Sequence, residues 1–200
     1  TKPVSLIALV VLVALGFFAA FAPWVAPYDF LETDVPNRLN GPTVAHPMGT
    51  DQVGRDVFSR LMHAGRISLA VAAGSEALAL AIGVPIGLAA GLFRGPIDAV
   101  LMRIIDGLLA FPSILLALVI ASIFSGRFFP VLLAIGITLV PGVARIVRAG
   151  TLREKGMEYV TACHAIGASA PRIALRHILP NTFPELMVQI TLGMAVAILI

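Results

Sequence analysis

The sequence is poor in the residues from which soluble enzymes and disulfide-stabilised proteins are built. Charged residues make up 12% of its 200 residues, against roughly 25% in a typical soluble domain. The single cysteine, Cys163, excludes an internal disulfide framework and a cysteine-rich metal site. The chain has no His-Glu-x-x-His zinc motif, no Gly-x-Ser-x-Gly nucleophile motif and no Gly-x-x-x-x-Gly-Lys-Ser/Thr phosphate loop. The first two absences argue against a hydrolase, and the third excludes ATP hydrolysis by a Walker-type site in this chain.

The sequence is instead rich in apolar residues, which make up 58% of the chain. The formal net charge is +3, but no dense basic patch with interleaved aromatic residues is present, so nucleic-acid binding is a poor interpretation. The apolar excess indicates that a lipid bilayer is the solvent of this protein.

The first apolar run, residues 4–22, contains no charged residue. About 20 such residues cross the hydrocarbon core of a bilayer as a helix. A cleaved signal peptide is the rival interpretation, with Lys2 before the run. The run is longer than a usual signal-peptide core, and Pro23 would follow the cut. We therefore expect a transmembrane anchor.

Residues 23–68 differ from the rest, since they contain five prolines and a balanced mixture of acidic and basic residues. Proline breaks helices, so this segment is expected to be water-exposed and mostly irregular. Apolar residues at helical spacing predict one short amphipathic helix from Asp51 to His63. Residues 1–68 are thus expected to form an anchor followed by an extracytoplasmic segment.

Four further apolar segments follow within residues 69–200. They predict spans at 69–92, at 107–126 with Pro112 inside, from Phe128 to before Arg145, and from Leu186 to Ile200. We therefore expect an all-α fold, a polytopic transmembrane helical bundle with five visible spans. The sequence opens with Thr1 and stops inside the fifth span, so we expect it to be part of a longer protein.

The polar insert at residues 144–181 fixes the expected orientation. It carries six arginine or lysine residues and two glutamates, and short basic loops stay on the cytoplasmic side of a membrane. The N-terminus is then cytoplasmic as well, and residues 23–68 lie outside.

Within the insert, the spacing predicts two short helices. Met157, Val160, Cys163 and Ile166 form one apolar stripe, Gly167 ends the first helix, and 169–171 begins the second. From the residues alone, two interpretations stay open: an interfacial hairpin held by lipid head groups, or an element that couples the membrane helices to a partner.

Several separated motifs resemble one family. The spacing of Thr161-Ala162-Cys163, Gly167 and Leu179-Pro180 is similar to that of the EAA loop of permease subunits in binding-protein-dependent ABC importers. Segments 46–60, 102–112, 158–162 and 176–181 look like the dipeptide, oligopeptide and nickel branch, and most like its C-type permease. The chain departs from the family pattern where Thr161 replaces the glutamate and Cys163 the second alanine, so no carboxylate role carries over to position 161.

The resemblance implies a type I importer permease fold with six spans, of which five are visible. It also implies the following coupling contacts with the ATPase: Glu158, Thr161, Ala162, Cys163, Gly167, Leu179 and Pro180. The coupling loop is expected at about 151–181.

The expected partners are a homologous B-type permease, two cytoplasmic ATPase subunits, a solute-binding protein and the bilayer, with no nucleic acid. No catalytic residue, metal site or cofactor is expected in this chain. The implied function is import of di- or oligopeptides across the cell inner membrane. Nickel or a nickel chelate is the alternative cargo, and a secondary transporter is the alternative of a different class.

Three ionisable residues beside or inside the spans are further candidates. Glu76 lies inside the second span, where a carboxylate is expensive and should face the bundle, a partner or water. Arg103 and Asp106 are spaced to pair on one helix, which predicts an interfacial ion pair. The segment from Gly49 to Asp56 is expected either to contact the binding protein or to pack over the outer mouth.

Overall fold

The structure, a computed structural model, describes residues 3–93, 95–124 and 128–199, without the side chains of residues 4 and 5. The regular elements in these ranges are all helical, apart from one isolated β-bridge between Thr50 and Asp56. The helices are α1 (Pro3–Ala20), α2 (Ala22–Val25), a 3₁₀ turn (Val35–Asn37), α3 (Val57–Leu92), α4 (Pro96–Leu109), α5 (Ser113–Ile123), α6 (Phe129–Glu154), α7 (Glu158–Ala165), α8 (Ala170–Ile173), a π turn (Ala174–Ile178), α9 (Leu179–Asn181) and α10 (Phe183–Leu199).

The chain divides into two compact units, one up to Ala70 and one from Val71 onward, and α3 runs through the division. The first unit contains α1, whose apolar side chains are largely exposed, as expected of a helix surrounded by lipid. A mostly irregular segment follows, in agreement with its prolines.

The prediction of a separate short helix from Asp51 to His63 is wrong. The backbone turns at Gly54, which has φ +83°, and the helix begins only at Val57 and continues without a break to Leu92. Asp56 sets this start, because its Oδ2 accepts a hydrogen bond from the backbone N–H of Ser59 at 2.7 Å, the geometry of an N-cap. The helical spacing was real, but it belonged to the first turns of a 36-residue helix.

In the second unit, α6 packs along α3 through small residues. A Cβ added at Gly83 would lie 2.8 Å from Val143, and one at Gly87 would lie 2.6 Å from the carbonyl oxygen of Ala144. Glycines at such positions allow transmembrane backbones to approach closely. Val143, Ala144 and Val147 are fully buried at this contact, which makes α6 the centre of the core.

Two of the predicted spans have different limits in the structure. The third is broken, because the chain bends by 90° between α4 and α5. Proline disfavours helical backbone at the preceding residue, and Pro112, with ψ 129°, is itself extended. The fourth does not end before Arg145, since α6 continues to Glu154. The predicted end of the third span at 125–126 and the loop at Arg127 lie outside the described residues.

By length and composition, two of the described helices are able to cross a membrane, α3 and α6. The bent pairs α4–α5 and α8–α10 raise this number to four if each pair is one span. The apolar part of α1, Leu6–Ala20, is shorter. The expected all-helical membrane fold is therefore confirmed, while the exact number of five spans stays a prediction.

Candidate functional site

The polar insert folds as a short helical hairpin, as the spacing predicted. The helix α7 ends at Ala165, and the turn that follows contains Gly167, which has φ +80°. The N–H of Ala168 donates to the carbonyl of Cys163 at 3.0 Å, and the N–H of Gly167 donates to that of His164 at 3.0 Å. This pair of bonds is the Schellman motif, which needs a residue in the left-handed conformation. Gly167 thus sets the turn between the two helices.

One side of α7 packs on the bundle and the other faces solvent. Val160 is 2% exposed, and Tyr159 and Cys163 pack against the same core cluster. Met157 and Ile166, which were predicted to continue the apolar stripe, are instead exposed, Ile166 by 84%.

The residues predicted to contact the ATPase divide accordingly. Cys163 and Leu179 are half-buried, and the following are exposed: Glu158, Thr161, Ala162, Gly167 and Pro180. Four of the exposed residues lie on α7 or on the turn that follows it, and only Pro180 of this set lies on α9.

The second half of the hairpin leads into a membrane helix. Ile173 and Ile178 are 1% and 0% exposed and fix α8 and the π turn on the bundle. After α9 the chain bends by 66° into α10. A single residue, Thr182, separates the end of the hairpin from the start of α10.

Polar side chains connect the hairpin to two other helices, α6 and α10. Tyr159 donates its hydroxyl hydrogen to Glu154 Oε2 at 2.8 Å, and Asn181 Nδ2 donates to the Tyr159 oxygen at 3.1 Å. Arg153 bonds Glu154 Oε1 through Nε at 3.0 Å and Glu185 Oε1 through Nη1 at 2.7 Å. We call these five residues the hairpin network.

Sequence reasoning missed the hairpin network. Its members are separated by up to 32 positions, as between Arg153 and Glu185, and no helical spacing joins them. The signal available in the sequence was the presence of acidic and basic residues at the ends of two neighbouring apolar segments.

The Tyr159 hydroxyl is set up as a donor. Burial raises the pKa of Tyr159, the hydrogen bond from Asn181 lowers it, and the neighbouring Glu154 raises it again, with a net increase. The phenol therefore stays protonated at neutral pH and its single hydrogen goes to the Glu154 carboxylate.

A lysine beside the hairpin caps the C-terminal end of α3. Lys155 Nζ donates to the carbonyl oxygen of Leu92, the last residue of that helix, at 2.5 Å. A lysine at a helix C-terminus satisfies a free carbonyl and the negative end of the helix dipole. The ends of α3 and α6 and the hairpin thus meet at one polar face.

The predicted ion pair between Arg103 and Asp106 does not form. Asp106 instead pairs with Arg145 of α6 at 2.6 Å, and among the described residues Arg103 has no ion pair. One turn further along α6, Arg148 binds both carboxylate oxygens of Asp98 at 2.6 Å. The helical spacing suggested a local pair, but the α4–α6 packing offers each aspartate an arginine on another helix.

Glu76 lies within the bundle, near the middle of α3. It is 2% exposed, and neither carboxyl oxygen has a hydrogen-bond partner in the described part of the chain. The carboxyl faces Gly193 of α10, where an added Cβ would lie 2.1 Å from Oε2. This position agrees with the expectation that Glu76 faces the bundle, and a functional role of Glu76 stays a prediction.

A small cavity lies beside the hairpin. Its volume is about 160 Å³, and its lining is mainly apolar, with Lys155 and His164 at its side. Small-molecule sites usually measure about 300–1,000 Å³, so this cavity is not a peptide site. Within residues 3–93, 95–124 and 128–199, no group of three or more His, Cys, Asp or Glu side chains is arranged to hold a metal ion.

Comparison with known families gives two matches. Residues 83–199 match the family described as "Binding-protein-dependent transport system inner membrane component". Residues 1–42 match the family described as "N-terminal TM domain of oligopeptide transport permease C". The first match runs from Gly83, in the last third of α3, to the end of α10.

Individual relatives are similar along nearly the whole chain. A dipeptide transport system permease protein of Alkalihalophilus pseudofirmus is 39% identical over 195 residues, which are 98% of this chain and 64% of that protein. A di/tripeptide transport system permease protein of Pseudomonas aeruginosa is 40% identical over 190 residues, 92% of this chain and 62% of that protein. A glutathione transport system permease protein of Pectobacterium atrosepticum is 38% identical over 189 residues, 94% and 62%. The chain thus spans 62 to 64% of the length of these relatives.

Proposed function

Because the chain belongs to the family of binding-protein-dependent transport system inner membrane components, we propose that it is the permease subunit of an ATP-driven ABC importer for di- or oligopeptides. The observation that carries this proposal is the solvent-facing side of α7, on a hairpin that leads directly into α10. A soluble partner that binds this surface is connected through the hairpin to a membrane helix. As a permease, the chain is not itself an enzyme.

We propose that the ATP chemistry belongs to a separate chain, as membership of this family implies, and these 200 residues contain no phosphate loop. We propose that α7–α9 sit in a groove of a cytoplasmic ATPase through the residues named above from Glu158 to Pro180. Closure of two ATPase subunits around ATP would draw the hairpin with it and switch the membrane helices between inward-facing and outward-facing states. The chain itself needs no cofactor for this step.

The remaining partners follow from the same assignment. A homologous B-type permease completes the membrane pore, and a solute-binding protein delivers the cargo on the outer side. The N-terminus is cytoplasmic in this arrangement, because the basic insert then faces the cytoplasm. The segment from Gly49 to Asp56 is on the outer side, where the binding protein docks.

The proposal of a peptide cargo is supported by the relatives, which are permeases of dipeptide, di/tripeptide and glutathione transport systems. Nickel or a nickel chelate is the alternative within the branch. A secondary transporter is disfavoured. It would be expected to carry ionisable side chains deep in several spans, whereas Glu76 supplies one such side chain in one span.

We also assign Glu76 to the transport path or to the contact with the partner permease. The Glu76 carboxyl is buried without a hydrogen-bond partner among the described residues, which is costly inside a membrane helix, so we infer that a group meets it at another stage of the cycle. Its position against α10, the helix entered from the hairpin, supports this assignment.

The proposed function is tested by purifying the full-length protein from its own host in mild detergent. The expected result is co-purification of an ATPase chain and a second permease, and ATP-dependent uptake of peptide after reconstitution with the binding protein. Retention of peptide by that binding protein supports the peptide cargo, and retention of nickel supports the alternative. A solitary chain that catalyses proton-coupled uptake contradicts the proposal.

The coupling role of the hairpin has its own test. Gly167→Pro is expected to abolish uptake driven by ATP while the protein still inserts, because proline fixes φ near −65° and the turn requires a positive φ. Ala168→Gly serves as the control, since it leaves the Gly167 turn in place. Normal uptake by the Gly167→Pro variant would refute the coupling role.

A further inference from the structure

The hairpin network joins α7 to the ends of two membrane helices by side chains alone. From Tyr159 it runs through Glu154 and Arg153 of α6 to Glu185 of α10, with distances of 2.8, 3.0 and 2.7 Å. Asn181 adds a branch, because its Nδ2 donates both to Tyr159 and to the carbonyl of His177. This path is independent of the chain connection through α8 and α9.

Tyr159 is the single point at which α7 enters this path. Among the described residues of α7, no other side chain hydrogen-bonds to another helix. The remaining attachment of α7 is apolar packing, chiefly through the buried Val160. Apolar packing lets a helix slide, whereas a hydrogen bond to a carboxylate is directional and stronger.

The acceptor of this bond is held firmly in place. Glu154 is 7% exposed, its Oε1 accepts a hydrogen bond from Arg153 Nε at 3.0 Å, and Arg153 Nη2 lies 2.9 Å from the same oxygen. A buried carboxylate that loses one of its donors pays the full desolvation penalty of that oxygen. Breaking the Tyr159 bond would leave a buried oxygen of Glu154 without this donor.

We propose that Tyr159 is a positioning residue for transport. Its hydroxyl transmits displacement of α7 to both α6 and α10. This inference rests on the proposed function, in which an ATPase moves α7. The ring of Tyr159 packs on the core, and the hydroxyl carries the transmission. Glu185 completes the link, because Arg153 bridges it to Glu154 across the gap between α6 and α10.

The test uses the full transporter reconstituted with its binding protein and measures peptide imported per ATP hydrolysed. Tyr159→Phe removes one oxygen and keeps the ring. We expect this ratio to fall about tenfold, the effect of losing one hydrogen bond to a charged group, with ATPase association and basal hydrolysis unchanged. The matched control is Tyr28→Phe, because the described structure shows no hydrogen bond to the Tyr28 hydroxyl and its ring stacking on His46 at 4.7 Å is retained.

An unchanged ratio in Tyr159→Phe would overturn the inference, and so would loss of ATPase association, which would show a docking role instead. If Tyr159→Phe does not fold, Glu185→Gln decides, since the Glu185 side chain is 44% exposed and its charge is not needed for the core. A lowered ratio in that variant supports the link, and a wild-type ratio overturns it. A wild-type complex that binds no ATPase contradicts the proposed function, and this result is visible before any variant is measured.

Discussion

At the scale of single residues, glycines determine how closely the helices approach one another. Gly193 leaves room for the carboxyl of Glu76, and a Cβ there would lie 2.1 Å from Oε2. Glycine in a helix interior costs stability relative to alanine, so this position is explained by the contact it allows.

We predict that Gly193→Ala destabilises the protein by about 1–3 kcal/mol, the usual range for overpacking a core. The matched control is Gly107→Ala on α4, where nothing lies within 4 Å of an added Cβ. Thermal unfolding in detergent measures both. In Gly193→Ala combined with Glu76→Ala the loss should largely disappear, because the clashing carboxyl is gone. An additive double variant would show that the two residues do not touch.

Asp51 makes the outer segment sensitive to acid. Burial raises the pKa of Asp51, but backbone N–H groups of Val53 and Arg55 and the Arg55 guanidinium together hold it well below its usual range. Arg60 also binds its Oδ2. Since the folded pKa is lower than the unfolded value, the stabilisation is present above the unfolded pKa and is lost as pH falls through the folded one.

We therefore predict that the segment around Asp51 opens progressively below about pH 4, the unfolded pKa of an aspartate. Hydrogen exchange of the amides of Val53 and Arg55 reports the opening. Asp51→Asn should exchange faster already at neutral pH and lose the acid dependence. Equal protection in wild type and variant at pH 7 would contradict the role of the carboxylate.

At the scale of elements, two ion pairs fasten α4 to α6, and they differ in strength. Asp98 binds Arg148 through two bonds of 2.6 Å, and their side chains are 18% and 32% exposed. Asp106 binds Arg145 through one, with side chains 52% and 55% exposed. Bidentate, partly buried pairs contribute more than exposed single ones.

We predict that Asp98→Ala lowers the free energy of unfolding by about 1–3 kcal/mol and Asp106→Ala by at most about 1 kcal/mol. The loss in Asp98→Ala includes the cost of leaving the Arg148 guanidinium unpaired. Unfolding in detergent at two salt concentrations measures both. Equal losses would mean that exposure does not distinguish these pairs.

The structure shows where sequence patterns suffice and where they fail. The apolar runs located the membrane helices, and Gly167 located the turn of the hairpin, because both depend on neighbours in the sequence. The break at Pro112 was missed, since a proline is tolerated or not according to packing. The length of α6 was missed because the predicted span ended at the charge of Arg145, whereas the helix continues to Glu154. The pairing of Asp106 with Arg145 was also missed, because it depends on the contact between two helices.

At the scale of the whole molecule, the central claim is that an ATPase binds the exposed side of α7, and that the resulting displacement of α7 is transmitted to α6 and α10. The family assignment accounts for the apolar surface, the absence of a phosphate loop and the polar face at one end of the helices. In the proposed function, the permease provides the path and a separate ATPase subunit hydrolyses ATP.

Site-specific photo-crosslinking in intact cells tests this claim most directly. A photoreactive residue is placed at Ile166, beside the α7 turn and 84% exposed, and a control at Leu118 of α5, 61% exposed on an apolar face. The account predicts a cross-link from position 166 to an ATPase that changes in yield with ATP, and none from position 118. Absence of an ATPase cross-link at 166, in cells where the protein still drives uptake, would contradict it.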